Sequence, residues 1–464
     1  MQTETFRGDI YSKIVRYTVA PLWAMKERSP YLRHLNHLEK SQFRPLCEVR
    51  KDQWRRLKNL LEHAYQNTKY YAEKMKACGL TPDDVRSWDD LQRLPFLTKE
   101  DIRANKVQMV AKSVLESRLV SKKTSGSTGV SLEFYWDEDS RQWKRACTIR
   151  HDKWTGWDLG EKIGAIWGNP GHEKSWRGRM RNLLLERCSY LDTLEMDEED
   201  MMSFYHRIRK TRPTLLFGHA HSLYLVARFF NWRGLADVRP KGVISTAMVL
   251  HGHERREIEQ AFGCRVTNRY GCEEVSLIAS ECKEHNGLHV NMDTLVVEIV
   301  REGKPVPPGQ LGAIVLTDLT NYGMPFIRYE IGDVGVASSR ICRCGCTYPL
   351  IESIEGRVAD YVVTPDGKFV SGISLTENFA MLLTGIKQFQ IIQDRLDHLI
   401  LKLVRAQDFT EATEHEIARL VRERFGERMT YSIQYAESIP PEKSGKYRFC
   451  ISKIESPFFA AGGN

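Results

Sequence analysis

The stretch KKTSGSTGVSLEFYW, residues 122–136, contains a polar glycine-rich loop, Lys122–Gly129, followed by a short apolar strand pattern. Within Lys123–Gly129, two glycines let backbone amides approach an anion closely, and four hydroxyl side chains add hydrogen-bond donors. The loop lacks the GKS/T ending of a Walker loop, which argues against a P-loop NTPase. A phosphate-cradling loop is therefore favoured over a flexible polar loop, and Leu132–Trp136 is predicted to be a strand.

The segments on either side of this loop predict an α/β chain in two parts. Residues 1 to about 95 have helical spacing, and from about residue 160 short apolar strands alternate with helices. Residues 290–340 carry strand patterns divided by prolines, and a β-β-α-β pattern follows residue 357. We therefore predict a large multi-layer N-terminal domain, 1–357, with a β-rich subdomain, and a small α+β C-terminal domain, 358–464.

Composition excludes several classes of protein. The 68 basic and 60 acidic residues are interspersed, and the net charge of +8 suits an anionic ligand such as a nucleotide without requiring nucleic acid. No apolar run reaches the roughly 18 residues of a membrane span. Ile14–Met25 carries Arg16 and Pro21 and is not a signal peptide; a packing arm is favoured over an amphipathic surface helix in peripheral membrane contact. Eleven scattered cysteines predict reduced thiols and a cytoplasmic protein.

Four further motifs follow the loop in order. They are Tyr270–Glu274 (YGCEE) after a predicted short strand at Arg265–Thr267, Arg328–Asp333 (RYEIGD), Gly356–Asp360 (GRVAD) and Pro440–Lys446 (PPEKSGK). Each alone indicates only a turn, but their order and spacing are informative. With HAYQNTKYY at 63–71 and LQRLPFLTKEDIR at 91–103, the chain resembles the acyl-adenylate-forming superfamily over roughly residues 50 to 454. Within it, the chain looks like the phenylacetate–coenzyme A ligase family, in particular its capsular-polysaccharide-cluster branch.

The resemblance implies an N-terminal adenylation domain that binds ATP and a mobile C-terminal domain. Asp333 would accept hydrogen bonds from both ribose hydroxyls, a task suited to a carboxylate. Arg357 would lie near the ribose or a phosphate, and Asp360 at the hinge between the domains. The remaining implied nucleotide-binding residues hold the phosphates or line the adenine pocket: Thr124, Ser125, Gly126, Ser127, Thr128 and Gly129 for the phosphates, Tyr270 and Gly271 for adenine.

The catalytic residues implied by the resemblance are Lys446 and Glu274. Lys446 matches the lysine that bridges the α-phosphate and the attacking carboxylate, and Lys443 is the competing candidate. Glu274 matches the family's magnesium-coordinating glutamate, since a carboxylate oxygen is a hard ligand that suits Mg²⁺. The family usually has serine or threonine just before that glutamate, whereas this chain has Glu273. A second negative charge near ATP therefore needs a positive charge to compensate it.

Cysteine and histidine residues bracket the β-rich region at two paired positions, Cys282-x6-His289 and Cys342-x-Cys344. Thiolate and imidazole ligands in this arrangement suit tetrahedral zinc. The alternative ligands are His285 and Cys346, and reduced thiols without a metal are the alternative interpretation. A structural zinc site is favoured, because many members of the resembled family carry a similar set and no carboxylate-and-water arrangement indicates a catalytic one.

Together these features predict ATP-dependent, AMP-forming activation of a small-molecule carboxylate, followed by transfer of the acyl group to coenzyme A. Transfer to an amine or a carrier protein, as in polysaccharide or natural-product biosynthesis, is the alternative. An inactive nucleotide-binding relative is a third hypothesis, and the retained Lys446, Asp333 and Glu274 argue against it. The expected cofactors are ATP/AMP, Mg²⁺, structural Zn²⁺ and coenzyme A, with no nucleic-acid partner.

Overall fold

The structure is a computed structural model of the 464-residue chain. It describes residues 4–124, 132–167, 175–193, 198–357, 361–366, 369–371, 383–440 and 449–454. Within these ranges no helix is both long and apolar enough to cross a membrane.

Helices dominate the first part of the chain and then alternate with strands, as predicted. They are α1 (Ile10–Ile14), α2 (Ala20–Lys26), α3 (Tyr31–Ser41), α4 (Leu46–Asn67), α5 (Lys69–Ala77), α6 (Trp88–Leu91), α7 (Lys99–Met109), α8 (Glu138–Trp154), α9 (Trp176–Arg181), α10 (Glu198–Thr211), α11 (Ala220–Trp232), α12 (Gly252–Phe262) and α13 (Glu411–Phe425). Two π turns, Val15–Val19 and Asn182–Glu186, connect α1 to α2 and extend α9.

The strands belong to a β-hairpin, a large sheet, a second hairpin and a small C-terminal sheet. They are β1 (Leu119–Lys123), β2 (Glu133–Asp137), β3 (Ile163–Ile166), β4 (Cys188–Leu191), β5 (Leu215–His219), β6 (Gly242–Thr246), β7 (Val266–Cys272), β8 (Ser276–Glu281), β9 (Leu288–Val290), β10 (Leu295–Arg301), β11 (Lys304–Pro305), β12 (Leu311–Asp318), β13 (Tyr329–Ser338), β14 (Leu350–Arg357), β15 (Tyr361–Val363), β16 (Phe369–Ser371), β17 (Ile386–Arg395), β18 (His398–Arg405), β19 (Thr430–Tyr435) and β20 (Cys450–Ser452).

The large sheet has twelve strands in the order β11-β10-β12-β13-β14-β9-β8-β7-β6-β5-β3-β4. Strands β3 to β7 pair in parallel, and the remaining neighbours pair antiparallel, beginning at the β7–β8 hairpin. The predicted α/β class is confirmed, and its β-rich part continues the same sheet. Because ligands of open α/β sheets bind at the carboxyl ends of parallel strands, the end of β7 is the expected location of a site.

The helical opening packs on the antiparallel half of this sheet. On α4, Leu57, Leu60, Leu61 and Ala64 recur at helical spacing and are fully buried on one face, in the same core as the apolar side chains of β12 and β13. The segment before α7 joins the sheet directly, since the Leu97 N–H donates to the Arg328 carbonyl at 2.9 Å. The opening is therefore part of the large domain's core.

Residues 361–454 include a four-stranded sheet, β19-β18-β17-β20, that α13 covers. Its buried apolar side chains come from the same part of the chain, among them Ile391, Leu401, Leu403 and Leu420. The predicted β-β-α-β order is confirmed for β17, β18, α13 and β19. Strand β20 and the β15–β16 hairpin were not predicted, because three-residue strands are too short to show periodicity. Strand β14 ends at Arg357, and the domain boundary after this residue stays a prediction.

Candidate functional site

The motif YGCEE lies at the end of β7 and in the turn to β8, and the strand before it is longer than predicted. Strand β7 continues to Cys272, not only to Thr267, because antiparallel pairing with β8 extends as far as Cys272 opposite Ser276. The register shifts between Tyr270 and Gly271, and the Cβ of any larger residue at 271 would come within 2.6 Å of the Ser276 carbonyl oxygen. Gly271 is therefore required by the close approach of the two strands.

Tyr270 and Asp333 meet although three strands separate β7 from β13 in the sheet order. The Tyr270 hydroxyl donates to Asp333 Oδ2 at 2.7 Å. On the other side of Asp333, the Cα of Arg357 lies opposite it in the β13–β14 register. Three of the residues implied to contact the nucleoside are therefore brought to one end of the sheet.

Glu274 is buried in the turn after β7 and is held by a tyrosine that the sequence analysis did not single out. The Tyr329 hydroxyl donates to Glu274 Oε1 at 2.7 Å. Burial, and after it the charge of Glu274, raises the pKa of Tyr329 well above its ordinary value, and the same two causes raise the pKa of the Cys272 thiol. Tyr329 therefore stays a hydrogen-bond donor that fixes the direction of the carboxylate.

The β1–β2 hairpin carries the glycine-rich loop, whose Ser125, Gly126, Ser127, Thr128 and Gly129 lie outside the described residues. Thr124 closes the hairpin: its N–H donates to the Leu132 carbonyl at 2.9 Å and its Oγ1 accepts from the Leu132 N–H at 3.0 Å. The loop starts two residues later than the predicted Lys122, because Lys122 and Lys123 are still paired in β1. The described ends of the loop therefore form a closed base.

The base of this hairpin contacts the YGCEE turn. The Trp136 Nε1–H donates to the Glu274 carbonyl at 2.7 Å, and Lys122 Nζ lies 3.8 Å from Glu273 Oε2. Lys122 also lies 4.5 Å from the centroid of the Trp136 ring, a distance typical of a cation–π contact. Lys122 thus supplies a positive charge beside Glu273. Sequence reasoning quoted Lys122 but gave it no role, since its partner is far away in the chain.

Lys446, its competitor Lys443, and Asp360 all lie outside the described residues. Arg357 is placed by its backbone as the last residue of β14.

The second cluster consists of Cys282, His289, Cys342 and Cys344, whose ligand atoms all lie within 4.8 Å of one another. Cys282 follows β8, His289 lies in β9, and the other two cysteines lie between β13 and β14. The Cys282 and Cys342 sulfurs are 3.5 Å apart, and Cys344 Sγ is 3.3 Å from His289 Nε2. These separations exceed the roughly 2 Å of a disulfide and approach the edges of about 3.5 to 3.8 Å of a tetrahedron around zinc.

Hydrogen bonds around this cluster orient its ligand atoms as a metal would require. His289 Nδ1 is 3.1 Å from the Tyr348 carbonyl, a contact in which Nδ1–H donates and leaves the Nε2 lone pair free. Each of Cys282 and Cys344 accepts a hydrogen bond at its Sγ from the backbone N–H two residues later in the chain. The N–H···S distances are 3.5 and 3.3 Å, respectively. The second of these turns contains Gly345 at φ +89°, a value that glycine adopts without strain. The donor set therefore fits zinc.

The two alternative ligands point elsewhere. His285 Nδ1 lies 3.3 Å from Glu281 Oε2, and Cys346 is buried in the large core that includes α4. Burial raises the pKa of Cys346 to about 12. All eleven cysteines lie within the described ranges, and none forms a disulfide.

The chain is similar to several known proteins. The CapK C-terminal domain family matches residues 362–453. Protein CapK of Staphylococcus aureus is 25% identical over 444 residues, which cover 93% of this chain and 94% of CapK. The phenylacetate-coenzyme A ligase of Thermus thermophilus is 24% identical over 454 residues, covering 87% and 96%. This chain is a homologue of CapK and of the phenylacetate-coenzyme A ligases. The resemblance inferred from the ordered motifs is confirmed.

Solved structures show the fold of this chain. 2-Hydroxyisobutyryl-CoA ligase in the postadenylation state is similar with a TM-score of 0.68 at 19% identity, over 89% of this chain and 91% of that chain. ATP-bound MatB from Rhodopseudomonas palustris has a TM-score of 0.51 at 16% identity, over 71% and 66%. The fold is therefore that of the adenylate-forming ligases, with a large N-terminal domain and a smaller C-terminal one.

Proposed function

We propose that this chain activates a carboxylate with ATP, releases pyrophosphate, and transfers the acyl group of the adenylate to coenzyme A. The observation that carries the proposal is a pair of carboxylates near the end of β7, each of which accepts a hydrogen bond from a tyrosine hydroxyl. Asp333 accepts from Tyr270, and Glu274 accepts from Tyr329, each at 2.7 Å, beside the base of the glycine-rich loop. Homologues named phenylacetate-coenzyme A ligase, one of them matched over 96% of its length, support the same chemistry.

The first half-reaction brings together a carboxylate and a triphosphate, which repel each other. Glu274 is the residue that would hold Mg²⁺, and the bound ion would neutralise phosphate charge. Lys122, 3.8 Å from Glu273, offsets the extra acidic residue of this chain. Asp333 would orient the ribose, and Lys446 would stabilise the charge that builds up at the α-phosphorus.

The acceptor in the second half-reaction is coenzyme A in this proposal. The homologues that bear an enzyme name are ligases that use it, and 2-hydroxyisobutyryl-CoA ligase, which shares the fold, was solved with 2-HIB-AMP and CoA. Transfer to an amine or a carrier protein is the competing outcome.

A pyrophosphate-release screen over a carboxylate library, with and without coenzyme A, tests the proposal. AMP and pyrophosphate should appear with a suitable acid and Mg²⁺, and coenzyme A should stimulate AMP release. Formation of ADP and phosphate would contradict the proposed chemistry. If an amine or a carrier protein stimulates AMP release and coenzyme A does not, the acceptor is that amine or carrier protein.

Lys446 is tested against its neighbour Lys443. Lys446→Ala should lower acid-dependent ATP–pyrophosphate exchange by about a hundredfold or more, because a charge contact to the transition state is lost. Lys443→Ala is the matched control and should change the rate little. If Lys443→Ala lowers the rate more than Lys446→Ala, the catalytic lysine is Lys443, three residues before the position assigned in the PPEKSGK motif.

We further propose that Cys282, His289, Cys342 and Cys344 bind one structural zinc ion and that the protein works in the cytoplasm. Support for zinc comes from the fit of the four donor atoms and from the His289 contact to the Tyr348 carbonyl. Support for the compartment comes from eleven cysteines without a disulfide and from the need for ATP.

A further inference from the structure

Two neighbouring helical segments near the start of the large domain pack against each other by one face only. The first comprises α1, its π turn and α2 (Ile10–Lys26), and the second comprises α9 and its π turn (Trp176–Glu186). The Tyr11 hydroxyl donates to the Leu184 carbonyl at 3.3 Å, and an ion pair of 3.1 Å joins Arg181 to Glu27. Their shared buried cluster is Val15, Ala20 and Leu185. The inner faces are thus occupied.

The outer faces of both segments are apolar and exposed. Ile10, Ile14 and Tyr17 are spaced i, i+4 and i+7, so they form one stripe, in which Ile10 is 83% and Tyr17 72% exposed. The π turn adds a residue, so the stripe continues at Leu22 and Met25. In the second segment the same spacing relates Trp176, Met180 and Leu183, of which Trp176 is 72% and Leu183 66% exposed. Exposed apolar residues concentrated in this way mark an interaction surface.

The charge of this surface is positive. Residues 10–28 contain four basic residues and one acidic residue, and so do residues 175–187. Two of these basic residues, Arg16 and Arg187, form ion pairs with Asp158 and Asp9, which lie outside both ranges. The two acidic residues, Glu27 and Glu186, are both paired with Arg181. Lys13, Lys26 and Arg177 are exposed beside the apolar stripes. The apolar stripes and these basic residues are called the basic–apolar face below.

We propose that the basic–apolar face docks this protein onto an anionic lipid surface. Helices with large apolar residues on one side and Lys or Arg beside them lie in the membrane interface, where anionic headgroups attract the basic residues. A second copy of the chain is a poorer partner, because a two-fold contact would place this positive face against itself. The sequence predicted a packing arm, and the inner face of α1–α2 does pack. In this proposal, the outer face binds lipid.

The test is flotation of the full-length protein with vesicles of phosphatidylcholine containing phosphatidylglycerol, compared with pure phosphatidylcholine. Wild-type protein should float with the anionic vesicles, and Tyr17→Ser/Leu183→Ser should weaken binding by about tenfold or more, since two apolar side chains no longer enter the interface. The matched control is Val107→Ser/Trp232→Ser, which removes two apolar residues that are 85% and 67% exposed elsewhere, and it should float like wild type.

A charge variant separates the electrostatic part of the interaction. Lys13→Ala/Arg177→Ala should weaken binding to anionic vesicles by about fivefold for each residue removed, and salt should weaken wild-type binding. Circular dichroism checks that each variant is folded. Equal flotation with both vesicle types, or equal flotation of the Tyr17/Leu183 variant and wild type, would overturn the proposal. A solution dimer that the Tyr17/Leu183 variant dissociates would overturn it in favour of self-association.

Discussion

Among single residues, Asp333 is held by the fold at the position where we propose that the ribose binds. Its carboxylate accepts the Tyr270 hydroxyl at 2.7 Å, so its direction is set before any ligand binds. A carboxylate can accept several hydrogen bonds at once, which leaves capacity for ribose hydroxyls. Its register partner in β14 is Arg357, whose Cα lies opposite that of Asp333.

Asp333→Asn should therefore raise the KM for ATP by about ten- to a hundredfold, because hydrogen bonds to a charged acceptor are lost while the side chain keeps its shape. The KM is measured by ATP–pyrophosphate exchange once an acid is known, or by nucleotide titration before that. Tyr270→Phe, which removes only the hydroxyl that orients Asp333, is the comparison and should have a smaller effect. An unchanged KM in Asp333→Asn would remove Asp333 from the nucleotide site.

Glu330, three residues before Asp333 on β13, makes the molecule sensitive to pH. Burial, and after it the nearby Asp101 carboxylate, raises the pKa of Glu330 to about 7, and Lys74 opposes this shift. The folded protein therefore binds a proton that the unfolded chain releases near its ordinary pKa of 4.5. The stability that this proton provides is present below that value and is lost as the pH rises through about 7.

Glu330→Gln should accordingly raise the free energy of unfolding at pH 8 by about 1 to 2 kcal/mol, a value reduced to allow for the partial solvent exposure of Glu330. The same variant should have little effect at pH 5. Urea unfolding at a series of pH values measures the difference. Glu427→Gln, at an exposed position after α13, is the control. A constant difference between Glu330→Gln and wild type across this range would mean that Glu330 does not titrate as the structure implies.

Among the structural elements, the cluster of Cys282, His289, Cys342 and Cys344 lies where the short strand β9 connects β8 to β14. Strand β9 has three residues and joins β8 to β14, so few backbone hydrogen bonds connect the two halves of the sheet there. Ligands after β8, in β9 and between β13 and β14 would tie these strands together. A bound metal would thus contribute to folding at the place where the sheet is narrowest.

Zinc, about one per chain, should copurify with the wild-type protein and be absent from Cys342→Ser/Cys344→Ser, whose unfolding temperature should fall. Cys346→Ser is the matched control: it changes a buried neighbour outside the cluster and should keep the metal. Metal analysis by mass spectrometry distinguishes the variants. Wild-type protein prepared without chelator and found free of zinc would contradict the site, and loss of zinc from Cys346→Ser would reassign a ligand.

The sequence predicted those parts of the fold and site whose signals are local. The apolar spacing of α4 and the Cys/His spacings are each contained in a short window. The contacts that define the site are not: Trp136 and Glu274 lie 138 positions apart, and Tyr329 and Glu274 lie 55 apart. No periodicity reports such pairs, so Lys122 and Tyr329 could be assigned a role only from the folded chain.

At the scale of the whole molecule, the two cores lie on either side of a short connection. The large sheet ends with β14 at Arg357, and β15 of the C-terminal module begins at Tyr361, so residues 358–360 link them. The proposed enzyme must present Lys446 to the α-phosphate and then withdraw it so that the second nucleophile can enter. Such a change is absorbed by a few backbone dihedrals at a boundary between domains.

Asp360→Pro should therefore unbalance the two half-reactions, because proline fixes φ and removes the amide donor at the proposed hinge. One step, adenylation or acyl transfer, should fall by about tenfold more than the other. Pyrophosphate exchange measures the first step, and transfer from preformed acyl-adenylate to coenzyme A measures the second. Asp360→Ala removes the carboxylate but leaves φ free. This variant therefore separates the effect of losing the side chain from the effect of losing rotation about φ. If Asp360 only ends a strand, both steps will survive or fail together in folded Asp360→Pro, and the domain does not rotate at this residue.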